Sequence, residues 1–318
     1  MTRSVLVTGA AGYLGSLLVQ DLTADSGSLE TIVGTDVREP AEPVRGLTFV
    51  KGDVRDLGFV DTLRSNNVDV VVHLAAIVSP GKSPDRDLEY SVDVGGTKNV
   101  LEACVASGVE KVIVSSSGAA YGYHADNPEW IDEEDALRGN PTFAYSDHKR
   151  LVEEMLAQWR EDHPQLKQLI FRPGTILGAG TRNQITDLFD RSIVFGIRGS
   201  ETPFVFIWDI DVVACLRRGI ETDAVGIYNL AGDGAMPLRA IAHAMEKRYV
   251  EIPAVAVRSA LGVMRRFGVT QYGPEQVDFL RYRPVLSNRR LKDDFGFTPT
   301  KSSEETFAFF LEARHGTT

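Results

Sequence analysis

The stretch VLVTGAAGYLG, residues 5–15, sets Gly9, Gly12 and Gly15 three residues apart, between a β-branched run and a helical pattern. The more familiar dinucleotide fingerprint, Gly-x-Gly-x-x-Gly, has a first interval one residue shorter. The surroundings are those of a cofactor loop all the same. Glycine lets the chain turn sharply and lets a pyrophosphate approach the backbone. A helix opening here offers free N–H groups and a partial positive charge. Downstream, VGTD ends the second strand-like run at Asp36, 21 residues beyond Gly15. That is about the spacing of the acid that binds the adenosine ribose hydroxyls. A carboxylate there repels a 2′-phosphate and favours NAD over NADP. Arg38 works against that preference, because a nearby arginine accepts the phosphate.

Outward from this loop, runs at 4–9, 30–36, 47–53, 68–76, 110–117 and 166–174 read as strands. Helical patterns cover 13–24, 56–66, 87–107 and 142–162, with Pro164 after the last. Most of the strand runs are apolar throughout, as when both faces of a sheet are covered. The alternation predicts an α/β fold, a Rossmann-type doubly wound parallel sheet. After residue 174 the segments shorten, with helices expected near 237–248 and 256–267. Residues 1–174 are read as the NAD-binding core, with strands near 204–229 returning to it. Residues 175–318 are read as a smaller, interleaved substrate lobe.

Composition narrows the function classes. The 318 residues are 43% apolar and 25% charged, as in ordinary globular proteins. The net charge of −10 comes without a basic stripe, which argues against nucleic acid as a partner. Cys104 and Cys215 are far apart, and no His, Cys, Asp or Glu cluster has metal-ligand spacing, so no metal is expected. No apolar stretch reaches the roughly 20 residues of a membrane helix, and no membrane partner is expected. The first strand-like run opens at Ser4, which leaves no room for a leader, and a cytoplasmic location is expected.

Several segments together resemble the extended branch of the short-chain dehydrogenase/reductase superfamily, and within it the NAD-dependent epimerase/dehydratase-like proteins. TGAAGYLG (8–15) is similar to that family's TGxxGxxG loop, which accounts for the interval of three. GDVRD (52–56) resembles its adenine-contacting segment and implies Asp53 and Val54. HLAA (73–76) resembles the strand end that lines the cofactor and implies Leu74, Ala75 and Ala76. SSSGAAYG (115–122) and YSDHK (145–149) resemble the catalytic Ser and Tyr-x-x-x-Lys elements. RPGTILG (172–178) resembles the segment at the nicotinamide end and implies Pro173 and Thr175. Tyr13, Leu14 and Ser115 complete the expected cofactor set. The resemblance further implies a homodimer built on helices 87–107 and 142–162.

The chemistry follows from the residue types. Tyr145 and Lys149 are four apart, which puts both side chains on one face of a helix. A free phenol has a pKa near 10, and a nearby ammonium is expected to lower it. Tyr145 would act as general acid or base at a substrate oxygen, and Ser117 would donate a hydrogen bond to the same oxygen. Lys149 would also hold the nicotinamide ribose, as the resemblance implies. Ser115 and Ser116 compete with Ser117, which lies four before Tyr121 as in the family's Ser…Tyr-Gly pattern. His73, ending a strand, is read as a satisfied interior side chain, and His148 is assigned no role.

Departures from the family pattern narrow the reaction. Sugar-nucleotide dehydratases place Asp-Glu directly after the catalytic hydroxyl residue; here Gly118 and Ala119 stand there. The C-terminal segment QVDFLRYRPVLSNRRLKDDFGF has no Gly-Asp pair for the diphosphate clamp, with Arg281 and Arg283 as the available substitutes. Asp93 stands where the family often has Asn, and Trp208 where it has His. The substrate wall is expected to be rather apolar, with Ser117, Gly118, Tyr121, Ile176 and Trp208 in the pocket. Tyr123, Trp130, Phe143, Leu177 and Phe204 are further candidates, about half of the aromatic and aliphatic set being core. The leading expectation is an NAD-dependent oxidoreductase moving hydride between NAD and a secondary alcohol/ketone on a small molecule. A sugar-nucleotide 4-epimerase is the alternative, and a non-catalytic NAD-binding sensor a third.

Overall fold

The computed structural model of the chain describes residues 3–78, 85–267, 273 and 276–315. Six strands carry the first part: β1 (Arg3–Thr8), β2 (Leu29–Asp36), β3 (Thr48–Lys51), β4 (Val70–His73), β5 (Lys111–Ser115) and β6 (Lys167–Pro173). A seventh, Gly226–Leu230, returns from the lobe and pairs in parallel with β6. The sheet order is Gly226–Leu230, β6, β5, β4, β1, β2, β3, and every pairing is parallel. The winding reverses between β1 and β4. In open α/β sheets such a switch point opens a crevice at the strands' carboxyl ends, where ligands bind.

The inner strands are apolar on both sides because each side has its own helices to meet. Val5 and Val7 of β1 face one core with Leu18 and Leu22, while Leu6 faces a second core with Leu101 and Leu156. The first core is closed by α1 (Tyr13–Ala24) and the helix Asp209–Glu221, the second by α2 (Phe59–Ser65), α4 (Thr97–Ser107) and α5 (Ala144–Asp162). Leu177, Phe189, Phe204, Phe206, Phe307 and Phe310 form a separate aromatic core in the lobe. Both cysteines are free and buried, and burial pushes both thiols up.

Two details differ from the sequence expectation. The helix expected at 87–107 is α3 (Arg86–Tyr90), a π turn at Ser91–Gly96 and then α4 in one run. The wide turn buries Asp93, whose carboxylate accepts from the Ile77 N–H (2.8 Å) and His148 Nδ1 (3.0 Å). The helix expected near 237–248 stops at Ala244, and Arg248–Ile252 is a strand paired with Ile193–Ile197. Of the substrate lobe read at 175–318, residues 268–272, 274–275 and 316–318 lie outside the described residues.

Candidate active site

A cleft of about 390 Å³ opens at the switch point. Its floor is the glycine loop. Gly9 has φ +69°, a backbone region open mainly to glycine, and a Cβ there would stand 2.9 Å from the Ala75 nitrogen. A Cβ on Gly15 would stand 2.0 Å from the Gly9 carbonyl oxygen. The loop therefore closes on itself only without side chains. No side chain caps α1, whose N-cap is Gly12, so its first N–H groups face the cleft unengaged by a cap.

The opposite side of the cleft carries Ser117, Tyr145 and Lys149. Ser117 follows β5 and opens a short 3-10 turn, Gly118–Tyr121, its hydroxyl accepting from the Ala119 N–H at 3.1 Å. Tyr145 and Lys149 project from the first turns of α5, with Nζ 5.7 Å from the phenol ring centroid. Of the three serines, Ser116 turns inward to Glu153 (2.5 Å) and Ser115 offers its carbonyl to Lys149 Nζ (2.9 Å). That leaves Ser117 as the hydroxyl hydrogen-bonded to Tyr145.

The electrostatics correct one expectation. The phenol is not made acidic by its ammonium in this cleft. Burial pushes Tyr145 up to about 12, the Ser117 hydrogen bond lowers it, and the Asp93 charge raises it further. The physical reason is burial, which strips water from the charged form of the phenol; Lys149, itself engaged by the Ser115 carbonyl, does not offset that. Burial lowers the ammonium's pKa, while Asp93 and Glu153 raise it. Tyr145 is thus held as a neutral phenol. His73 is buried and bonded to Thr8 (2.8 Å) and Thr97 (3.0 Å), and burial lowers its pKa to about 3.

Most expected cofactor residues line this cleft: Gly9, Gly12, Tyr13, Leu14, Gly15, Leu74, Ala76, Ser115, Pro173 and Thr175. Asp36, Arg38, Asp53, Val54 and Ala75 stand outside its lining. The Asp36 carboxylate, at the end of β2, accepts from the Ala11 N–H (3.1 Å) and Arg38 N–H (3.0 Å). Asp53 pairs with Arg55 at 2.6 Å, which holds its carboxyl below the usual range, and Val54 is buried against Gly96.

Two expected pocket residues are elsewhere. The 3-10 turn carries Tyr121 away from the cleft, where its hydroxyl meets Asn229 (2.9 Å) and Arg172 (2.7 Å) in the interior. Trp208 is held against Phe309 (5.4 Å between rings) with Lys301 Nζ 4.6 Å above it, again outside the lining. Gly118 and Ile176 do line the cleft, as do Tyr123 and Phe143, whereas Leu177 and Phe204 are core and Trp130 is exposed.

The family model described as NAD dependent epimerase/dehydratase family matches residues 5–197. The chain belongs to the NAD-dependent epimerase/dehydratase family. It is an enzyme of the extended short-chain dehydrogenase/reductase type, and NAD is its cofactor. Among its relatives, the Mycobacterium tuberculosis protein Rv0501 is 22% identical over 317 residues, covering 98% of this chain and 84% of that one. The rice UDP-glucose 4-epimerase 2 is 33% identical over 189 residues, 56% of this chain and 45% of that protein. The structure of MoeE5 in complex with UDP-glucuronic acid and NAD superposes with a TM-score of 0.76 at 25% identity, covering 99% of this chain and 100% of that one.

The residues present fit the family's cofactor. The loop in which Gly9 and Gly15 exclude any Cβ, and the helix end left without a side-chain cap, form a cradle suited to a pyrophosphate. Sequence reasoning missed much of the far wall of this epimerase/dehydratase-family cleft: Thr181, Arg182, Asn183, Ile185, Val205, Phe279, Pro284 and Leu286. Most sit on irregular segments, where neither period 2 nor period 3.6 marks a facing side, and Ile185 and Phe279 sit on helices of only 6 residues. Arg283, a sequence candidate for anion contact, does line the cleft, its guanidinium 4.1 Å from the Phe204 ring and 5.0 Å from the Phe279 ring. Its Nη1 is buried without a hydrogen-bond partner.

Proposed function

We propose that this enzyme moves hydride between NAD and a secondary alcohol/ketone pair, with Tyr145 as general acid/base. The observation that carries this reading is the convergence of Ser117, Tyr145 and Lys149 on the glycine-loop cleft, with Gly118 and Ala119 in place of an acid pair. NAD, when bound, supplies the hydride acceptor, and in its reduced form the donor. In ketone reduction the neutral Tyr145 phenol gives its proton to the carbonyl oxygen as the carbinol C–H bond forms. Ser117 donates to the same oxygen and counters its developing charge. Lys149, four residues along α5, lines the cleft beside the phenol and would hold the nicotinamide ribose. In oxidation the same atoms run in reverse, the hydroxyl proton passing to Tyr145. The wall of Tyr123, Phe143, Ile176 and Phe279 suits an alicyclic or aromatic carbon frame and excludes water.

A panel of secondary alcohols and ketones, followed at the NADH absorbance band, tests the reading. Net, substrate-dependent change in NADH supports it. Interconversion of sugar nucleotides without net NADH change would replace it with the 4-epimerase reading, which the similarity to the rice epimerase and the unpartnered Arg283 Nη1 keep in play.

We further assign Asp36 to the adenosine ribose. Asp36→Ala is expected to weaken NAD binding about tenfold and to narrow the discrimination against NADP, as judged by KM ratios for the two cofactors. An unchanged ratio would remove Asp36 from that role.

A further inference from the structure

Across the cleft from the glycine loop runs the segment 178–185. Thr181, Arg182, Asn183 and Ile185 line the cleft with Gly12, Tyr13 and Leu14 on the other side. The segment is pinned at both ends, since Leu177 before it and Phe189 after it are buried in the lobe's aromatic core. Between the pins it is fastened to the glycine loop by side chains. The Tyr13 hydroxyl donates to Asp209 Oδ2 at 2.6 Å and accepts from Thr181 Oγ1 at 2.9 Å. A phenol–carboxylate bond this short is among the stronger hydrogen bonds a protein makes.

The strap is shaped for this contact. A Cβ on Gly178 would fall 1.8 Å from Asp209 Oδ2, and one on Gly180 would touch the Tyr13 ring at 3.4 Å. Two glycines let the segment lie flat on the fastening, and they also give its backbone freedom to lift.

We propose that residues 178–185 form a strap over the glycine-loop end of the NAD site, clasped by Tyr13, Asp209 and Thr181, and that opening of this clasp sets the rate at which NAD enters and leaves. Asp209 and Thr181 are positioning residues, acting on the cofactor through Tyr13 and the strap. The proposal rests on NAD occupying this cleft. A clasp that must open before binding reduces the competent fraction of the free protein, and it slows release by the same gating. Weakening it therefore speeds both directions. A residue that merely touches the cofactor changes release alone.

Stopped-flow NADH fluorescence, giving association and displacement rates, separates these cases for Thr181→Val, Asp209→Ala and Asp209→Asn. Thr181→Val and Asp209→Ala are expected to raise both rates about tenfold while Kd moves less than about threefold. Asp209→Asn, which keeps one accepting oxygen but loses the charge, should give rates between those of the alanine variant and the unsubstituted chain. Faster release with unaltered association, or no change in either rate, would overturn the strap. Asp209 also accepts from the Ile210 N–H at 2.9 Å, so Thr181→Val decides the matter should the alanine variant fold poorly. Failure of the unsubstituted chain to bind NADH would overturn the cofactor's placement, and the strap with it.

Discussion

Tyr145→Phe will lower kcat by a factor on the order of 10²–10⁴, the range that a positioned proton donor contributes. NAD affinity will stay nearly intact, because the ring keeps its place between Phe143 and the Lys149 side chain. The loss belongs in kcat because the missing proton is needed only as the substrate oxygen gains charge. The raised phenol has a consequence for pH. With Tyr145 held up to about 12, the donor form is fully populated through neutrality, so ketone reduction should not fall through loss of the Tyr145 proton between about pH 6 and 9. Single-turnover reduction rates measured with the parent and the Phe variant across that range check both statements. A Phe variant within a few-fold of the parent would remove the phenol from the chemistry.

Glu153→Ala will destabilise the protein by about 3–5 kcal/mol, the cost of stripping one partner from a buried ion pair. The Arg172 guanidinium meets Glu153 through Nη2 (2.6 Å) and Nε (2.8 Å), with side chains only 3% and 2% exposed. The same guanidinium holds the Tyr121 hydroxyl and the Glu133 carbonyl, and Ser116 adds a bond to Glu153. The neighbouring residue supplies the control. Glu154 pairs with Arg150 at 2.5 Å, but its side chain is 53% exposed, and Glu154→Ala should cost under about 1 kcal/mol. Urea denaturation of the two variants compares them directly. Equal losses would show that the interior pair is not what holds the serine segment in place.

This network also marks where sequence reading reached its limit. The glycine loop, the six early strands and the Tyr-x-x-x-Lys helix were legible because each is local. A backbone turn, an apolar run or an i,i+4 spacing is written in adjacent residues. Asp36 falls at the end of β2 for the same reason. Tyr121 and Trp208 were misplaced because their direction depends on partners far along the chain, Asn229 and Arg172 for one, Phe309 and Lys301 for the other. The acidity expected of Tyr145 failed for a related reason. The spacing gives the distance to Lys149 but not how deeply the phenol is buried, nor the Asp93 charge, which arrives from a π turn. Much of the far wall of the cleft, from Thr181 to Leu286, comes from loops and from helices too short to carry a periodic signature.

The two interior thiols carry a practical consequence. A cysteine kept from water and with its thiolate disfavoured reacts with iodoacetamide only when the surrounding packing comes apart. Cys104 sits in the core on one side of the sheet and Cys215 in the core on the other. Alkylation followed by mass spectrometry would therefore time the opening of each half separately, a built-in pair of clocks that requires no engineered label.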